Sequence, residues 1–211
     1  VPLMGFDNFY PTYQVMKALT RHYDDLAFDK DDFMIVSPDE GAMNRNIFYA
    51  SVLGLDLGMF YKRRDYATVV NGRNPIVAHE YIGVSPCNKD IIVADDIIAT
   101  GDSMLRLCRE LKEMGAKRIF LTATYALFTE GLDKFQAAYD EGLFNAVIST
   151  NLTYVREEIK NSEWYIEADL SKYIAYIIAS CNQNRSVSTL LSSSERIGEL
   201  LRSYRLKEDE E

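Results

Sequence analysis

Histidine is nearly absent from this 211-residue chain: His22 and His79 are the only two. That leaves little material for a histidine-built metal centre or a Ser-His-Asp triad. Cysteine is sparse as well. Cys87, Cys108 and Cys181 are an odd number, far apart and without metal-ligand spacing. They read as free thiols of a reducing compartment, which predicts a cytoplasmic protein, with Cys108 on the buried face of a helix. No apolar run approaches the roughly eighteen residues of a membrane span, and no signal peptide is visible, so no membrane partner is expected. There is no internal repeat, no low-complexity linker and no phosphate loop of the form G-x-x-x-x-G-K-[ST]. Positive charge is in deficit: 23 Lys and Arg stand against 32 Asp and Glu, a net charge of −9. Such a chain is a poor partner for nucleic acid, although a local basic patch can still bind phosphate.

What is present argues for a packed core. Hydrophobic residues make up 47% of the chain. The length suits one α/β domain and is short for two. The expectation is a single domain over 1–211, folded over 1–205, with 206–211 as a solvated acidic tail. The first residue is Val1 rather than Met, and a helical pattern follows almost at once. That reads as an internal start: a fragment, a processed chain or an expressed domain.

Hydrophobic spacing predicts helices over 8–23, 42–53, 103–114, 132–139, 169–181 and 194–205. Buried strands are predicted over 32–36, 55–61, 90–94, 118–124, 146–150 and 165–168. Residues 65–90 show no steady period and read as a long loop or hairpin, a length usually kept for functional or mobile segments. Strands alternate with helices, so the predicted fold is α/β, a mainly parallel sheet with helices on both faces.

Three stretches carry chemistry. The first is the run Ile91-Ile92-Val93-Ala94-Asp95-Asp96-Ile97-Ile98-Ala99-Thr100-Gly101-Asp102-Ser103. An apolar strand ends in two carboxylates, a short turn follows, and a helix begins. A helix N-terminus offers unpaired N–H groups and partial positive charge, which suits an anion. Gly101 would let backbone approach a phosphate, Thr100 and Ser103 would donate hydroxyls, and the acids would accept from sugar hydroxyls. The plain alternative is an ordinary strand-to-helix loop capped by Asp102 or Ser103. Adjacent strand residues point to opposite faces, so Asp95 and Asp96 cannot do the same work. One should reach ribose; the other should bind metal-bound water or brace the loop, and the sequence does not say which. The second stretch is Lys62-Arg63-Arg64, either a solvated strand end or the start of a cationic flap that neutralises transferring phosphate. The third is Ser37-Pro38-Asp39-Glu40-Gly41, where Asp39 is either a Mg²⁺ ligand or a turn residue capping the next helix.

In order along the chain, these stretches resemble the ribose-phosphate diphosphokinase (PRPP synthetase) family, of type I phosphoribosyltransferase fold. The two-acid loop resembles that fold's phosphoribosyl diphosphate (PRPP) motif. Gly115-Ala116-Lys117-Arg118, Thr124 followed by Leu127-Phe128, and Ser186-Val187-Ser188-Thr189-Leu190 extend the likeness. It covers the family's second half. It implies Lys62 as catalytic lysine and Arg64 as a contact to sugar phosphate or transferring phosphates. It implies Asp95 and Asp96 at the ribose, Ala99, Thr100, Gly101, Asp102 and Ser103 around the 5-phosphate, and Asp39 as this half's metal ligand. It further implies Mg²⁺, ribose 5-phosphate, ATP and PRPP as ligands, and a homo-oligomer whose ATP contacts lie mostly in the other half. Ala99 stands where the family often has Asp, Asp102 where it often has Gly, and Tyr125 where it has His. The loop after Lys62 reads Asp65-Tyr66-Ala67-Thr68 rather than Pro-rich. Two other functions fit the same motif: a free-standing phosphoribosyltransferase using PRPP and a base, or a catalytically weak regulatory homologue.

Overall fold

The computed structural model describes residues 7–64 and 76–208, with side chains for all of these except 62–64, 76–79 and 207–208. The apolar run at 91–94 becomes part of strand β4 (Asp90–Ile98), the middle of a seven-stranded sheet. Its neighbours are β1 (Phe33–Ser37) and β5 (Ile119–Ala126). Outside β5 lie β6 (Ala146–Thr150) and β7 (Tyr165–Ala168); outside β1 lie β2 (Asp56–Arg64) and β3 (Ile76–Ile82). The order is β3-β2-β1-β4-β5-β6-β7, and every pairing is parallel except β2 with β3. The expected long loop or hairpin therefore contains a hairpin strand; residues 65–75, including the Asp65 to Thr68 stretch, lie outside the described residues.

The middle of the sheet is buried on both faces because β1, β6 and the first halves of β4 and β5 are apolar at consecutive positions rather than at alternate ones. Ile91 and Val93 join Ile119 and Leu121 in one core, with Met104, Leu107, Cys108 and Leu111 of helix α3 (Asp102–Glu113) and Phe135 of α4 (Asp133–Asp140). Ile92 and Ala94 join Phe33, Ile35 and Phe120 in the other core, with α1 (Thr12–His22) and α2 (Met43–Leu53). The short α5 (Glu157–Lys160), α6 (Ser171–Asn182), the short α7 (Ser188–Leu191) and α8 (Ser194–Glu208) complete the chain. Helix α8 seals the second core with Ile197, Leu201 and Tyr204. The Tyr204 hydroxyl donates to Tyr23 O at 2.9 Å and accepts from Leu26 N–H at 2.8 Å. Helix α8 runs to Glu208, into the stretch expected as a tail; 209–211 lie outside the described residues.

The connection β1-α2-β2 steps to one side of β1, and β4-α3-β5 steps to the other side of β4. With right-handed crossovers, α2 and α3 must then cover opposite faces, as they do. The gap between β1 and β4 is thus the point where strand order reverses, the place where open parallel sheets bind ligands beyond their carboxyl ends.

Candidate functional site

Pairing between β1 and β4 runs only from Phe33↔Asp90 to Val36↔Val93. Strand β4 continues because β5 keeps pairing with it, through Asp95↔Ala123 to Ile98↔Ala126. The strand expected to stop at Ala94 therefore carries both acids within it. On the β1 side, the freed edge at Ala94 is taken over by a side chain. Asn46 of α2, fully buried, accepts the Ala94 N–H at 3.2 Å and donates to Ala94 O at 2.7 Å. It also donates to Ser37 Oγ at 3.2 Å and Ala42 O at 2.9 Å. Its amide does what the next β1 residue would have done, and it fixes the backbone immediately before the acid pair. Nothing local in the sequence marks Asn46 for this role, because Ser37 and Ala94 are 9 and 48 residues away.

The strand alternation separates the acids as expected. Asp95 faces a cavity of about 170 Å³ at the switch point, lined also by Pro38, Asp39, Ala99, Thr100, Gly101, Ser103 and Met104. Asp96 faces a second cleft of about 260 Å³ with Phe9, Tyr10, Arg45, Thr124 and Tyr125. Burial pushes the Asp95 carboxyl up to about 6. The Asp96 N–H, donated to Asp95 Oδ1 at 2.8 Å, opposes this, while the negative charges of Asp96 and Asp39 add to it. Arg45 Nη1 lies 3.7 Å from Asp95, at the outer limit of an ion pair, and does not cancel the cost of burial. A site that raises a carboxyl's pKa in this way, by desolvation and like charge, is one that gains from a cation or hydroxyl donor.

The loop Ala99–Gly101 leads into α3. Its first ladder bond is Leu105 N–H to Gly101 O at 2.9 Å. By helix geometry the N–H groups of Asp102, Ser103 and Met104 precede the ladder, at the positive end of the helix dipole. Gly101 is the N-cap, with φ of 89°. The plain alternative, a cap at Asp102 or Ser103, does not hold: both lie inside the first turn. Glycine is required for a reason the sequence concealed. A Cβ on Gly101 would sit 2.2 Å from the Phe135 ring, on the core side.

Asp102 does not line the cavity. Lys134 of α4 donates to its Oδ1 at 2.7 Å, and Thr100 Oγ1 donates to its Oδ2 at 3.2 Å. The Lys134 hydrogen bond holds the Asp102 carboxyl below the usual range. A carboxylate that would repel phosphate is thereby turned outward and neutralised, by a residue with no local signal. Asp39 caps and lines the site at once. Its Oδ1 accepts the Ala42 N–H at 3.1 Å at the start of α2, and it also lines the cavity with Asp95. Lys62 and Arg64 lie on β2 beyond Ser37↔Met59, the last β1 pairing, so their backbone stands at the same carboxyl edge; Lys62 and His79 are register partners in the hairpin.

A family model described as "Phosphoribosyl transferase domain" matches residues 8–140, well over half of the chain and all of this site. The chain belongs to the phosphoribosyl transferase domain family. Within that family it is similar to a ribose-phosphate pyrophosphokinase of Thermococcus kodakarensis, 34% identical over 125 residues, covering 59% of this chain and 42% of the relative. The enzyme of the same name from Pyrococcus abyssi is 31% identical over 149 residues, 70% of this chain and 47% of the relative. That from Mycoplasma pneumoniae is 29% identical over 180 residues, 85% of this chain and 51% of the relative. The crystal structure of phosphoribosylpyrophosphate synthetase from Mycobacterium smegmatis shares the fold, with a TM-score of 0.62, 24% identity, and coverage of 81% of this chain and 51% of that one. The chain spans about half the length of the curated relatives it matches. As a phosphoribosyl transferase domain, it places its acid pair and helix-leading loop where that fold opens its sheet.

Proposed function

We propose that the switch-point cavity binds the sugar phosphate of a ribose-phosphate diphosphokinase, and that this chain is the ribose 5-phosphate half of such an enzyme. The complete enzyme would move the diphosphoryl group of ATP to the 1-hydroxyl of ribose 5-phosphate, forming PRPP for nucleotide biosynthesis in the cytoplasm. The observation that carries the reading is one cavity with a desolvated carboxylate on one wall and a glycine-led helix N-terminus with two hydroxyls on the other. One wall suits ribose hydroxyls and the other suits a phosphate. The similarity to ribose-phosphate pyrophosphokinases supports the choice over a free-standing phosphoribosyltransferase.

In this reading, the Ser103 hydroxyl and the N–H groups of Ser103 and Met104 hold the 5-phosphate, and the Thr100 hydroxyl turns to it from Asp102. Asp95 accepts from ribose hydroxyls, and Asp96 acts from the neighbouring cleft. Lys62 and Arg64 are the catalytic cations, stabilising charge that builds up on the transferring group. The protein contributes position and charge rather than a covalent intermediate. Among the described residues no group of three or more His, Cys, Asp or Glu is arranged to hold a metal. Two carboxylates, Asp39 and Asp95, do share the cavity. One or two carboxylates plus substrate oxygens is how Mg²⁺ is usually held, so the residues fit that ion. Asp39, with Asp95 beside it, would hold it, and it would supply charge neutralisation to the phosphates. A homo-oligomer fits the outer face of α6, where Ile178 stands 63% exposed.

Titration calorimetry of the chain with ribose 5-phosphate and with ribose tests the site. Binding of the phosphate ester well above that of the bare sugar is expected. Equal affinity for the two would remove the phosphate cradle. Thr100→Val with Ser103→Ala should lower ribose 5-phosphate affinity about tenfold or more, since two donated hydrogen bonds to a charged group are lost.

A further inference from the structure

A cavity larger than the switch-point one lies elsewhere. It has a volume of about 530 Å³ and is framed by α1, the carboxyl end of β7, α6 and α8. Lys17, Arg21, Lys172 and Arg196 line it against two carboxylates, Glu167 and Asp169. Asp169 is already engaged, accepting from Asn151 Nδ2 and from Ser171 N–H, both at 2.8 Å. In a chain with a net charge of −9, this is a local cationic basin.

Two of its cations are held in place by aromatic rings. The Arg196 guanidinium sits 4.1 Å from the Tyr13 ring centroid and the Lys172 ammonium 5.8 Å from that of Tyr176. Such stacking fixes the charges before a ligand arrives, which lowers the ordering cost of binding. Gln14 also lines the cavity. It is 92% buried, yet its Oε1 has no hydrogen-bond partner among the described residues. A buried amide oxygen left without a partner by the fold is uncommon. The volume lies within the range of small-molecule sites.

We propose that this cavity is a second small-molecule site, which takes a hydroxylated phosphate monoester such as a sugar phosphate. Two excess positive charges match the charge of about −1.5 to −2 on a phosphate monoester. The arginine forks suit phosphate oxygens. The Gln14 amide and the tyrosine rim suit the hydroxyls and the flat faces of a sugar. Entry differs from that of the switch-point cavity: the two share no lining residue.

The test is calorimetry of the 211-residue chain with glucose 6-phosphate, inorganic phosphate and glucose. Glucose 6-phosphate should bind, phosphate more weakly, and glucose not measurably. Lys17→Gln with Arg196→Gln should cut the glucose 6-phosphate affinity at least about tenfold. Lys172→Gln, on the exposed face of α6, provides a second variant should that pair alter the melting temperature. Thr100→Val with Ser103→Ala should leave this affinity unchanged, which separates the site from the proposed sugar-phosphate cradle. Dissociation constants weaker than about 1 mM for glucose 6-phosphate would overturn the proposal. So would a loss confined to the Thr100/Ser103 variant. Equal binding of phosphate and glucose 6-phosphate would overturn the sugar part.

Discussion

At the scale of the residue, Asp95 concentrates the conflict between folding and function. Its carboxyl titrates near 6 in the fold against an ordinary 3.8. Below 3.8 it is protonated folded and unfolded, and no penalty exists. As pH rises from 3.8 through 6 the unfolded chain ionises first, and the folded state loses stability. Above 6 the penalty is complete. Asp95→Asn should therefore raise stability at neutral pH, by about 1–2 kcal/mol once its partial exposure discounts the two-unit shift. The gain should vanish below the ordinary carboxylate range. The same variant should weaken ribose 5-phosphate binding. Urea denaturation at several pH values and calorimetry read the two effects, and an unchanged stability at neutral pH would refute the desolvation account. Asn46 carries the opposite sign. Asn46→Leu keeps the volume but strands the Ala94 N–H and C=O, at a cost of about 2–4 kcal/mol. It should also weaken sugar-phosphate binding through the shifted start of the acid pair, although Asn46 does not line the cavity. A stable Asn46→Leu with full affinity would show that β4 needs no such brace.

At the scale of the element, the two ends of β4 are secured by different means. At the amino end, Asp90 is 2% exposed and receives Arg118 Nε at 2.9 Å and Nη2 at 2.5 Å. Arg118 Nη1 reaches on to Asp25 at 2.7 Å. Removing one partner of a buried pair leaves an uncompensated charge. Arg118→Met should therefore cost about 3–5 kcal/mol, and adding Asp90→Leu should return much of it. Chemical denaturation of the single and double variants measures this; equal losses for both would mean that the pair is not what holds β4 to β5. At the carboxyl end, α3 depends on Gly101. Gly101→Ala meets both a φ of 89° and the Phe135 ring. It should destabilise the chain and disturb the phosphate loop together.

At the scale of the whole molecule, the chain spans about half the length of its curated relatives. The purified 211-residue chain should bind ribose 5-phosphate yet form no PRPP from ATP and Mg²⁺. Turnover within the common enzyme range of about 1–10³ per second would show that this length suffices for catalysis. Ile178→Asp on α6 should shift any self-association to a smaller species in light scattering. An unchanged mass would assign the oligomer to another face.

The sequence by itself determined the α/β alternation, the order of the longer helices and of every strand but β3, and the acid-pair loop ahead of α3. These depend on periodicity and on neighbours a few residues apart, which a single chain displays openly. It also implied that Asp95 and Asp96 face apart, since strand geometry alone requires it. Only the tertiary structure decided that β4 runs on through the acids, because the edge supporting them belongs to β5, nearly thirty residues later. Only it showed that Gly101 answers to Phe135, that Lys134 draws Asp102 out of the cavity, and that Asn46 stands in for a missing strand. Each of those is a contact between residues distant in the chain, set by how α2 and α4 dock on opposite faces of the sheet. No local pattern in the sequence encodes that docking.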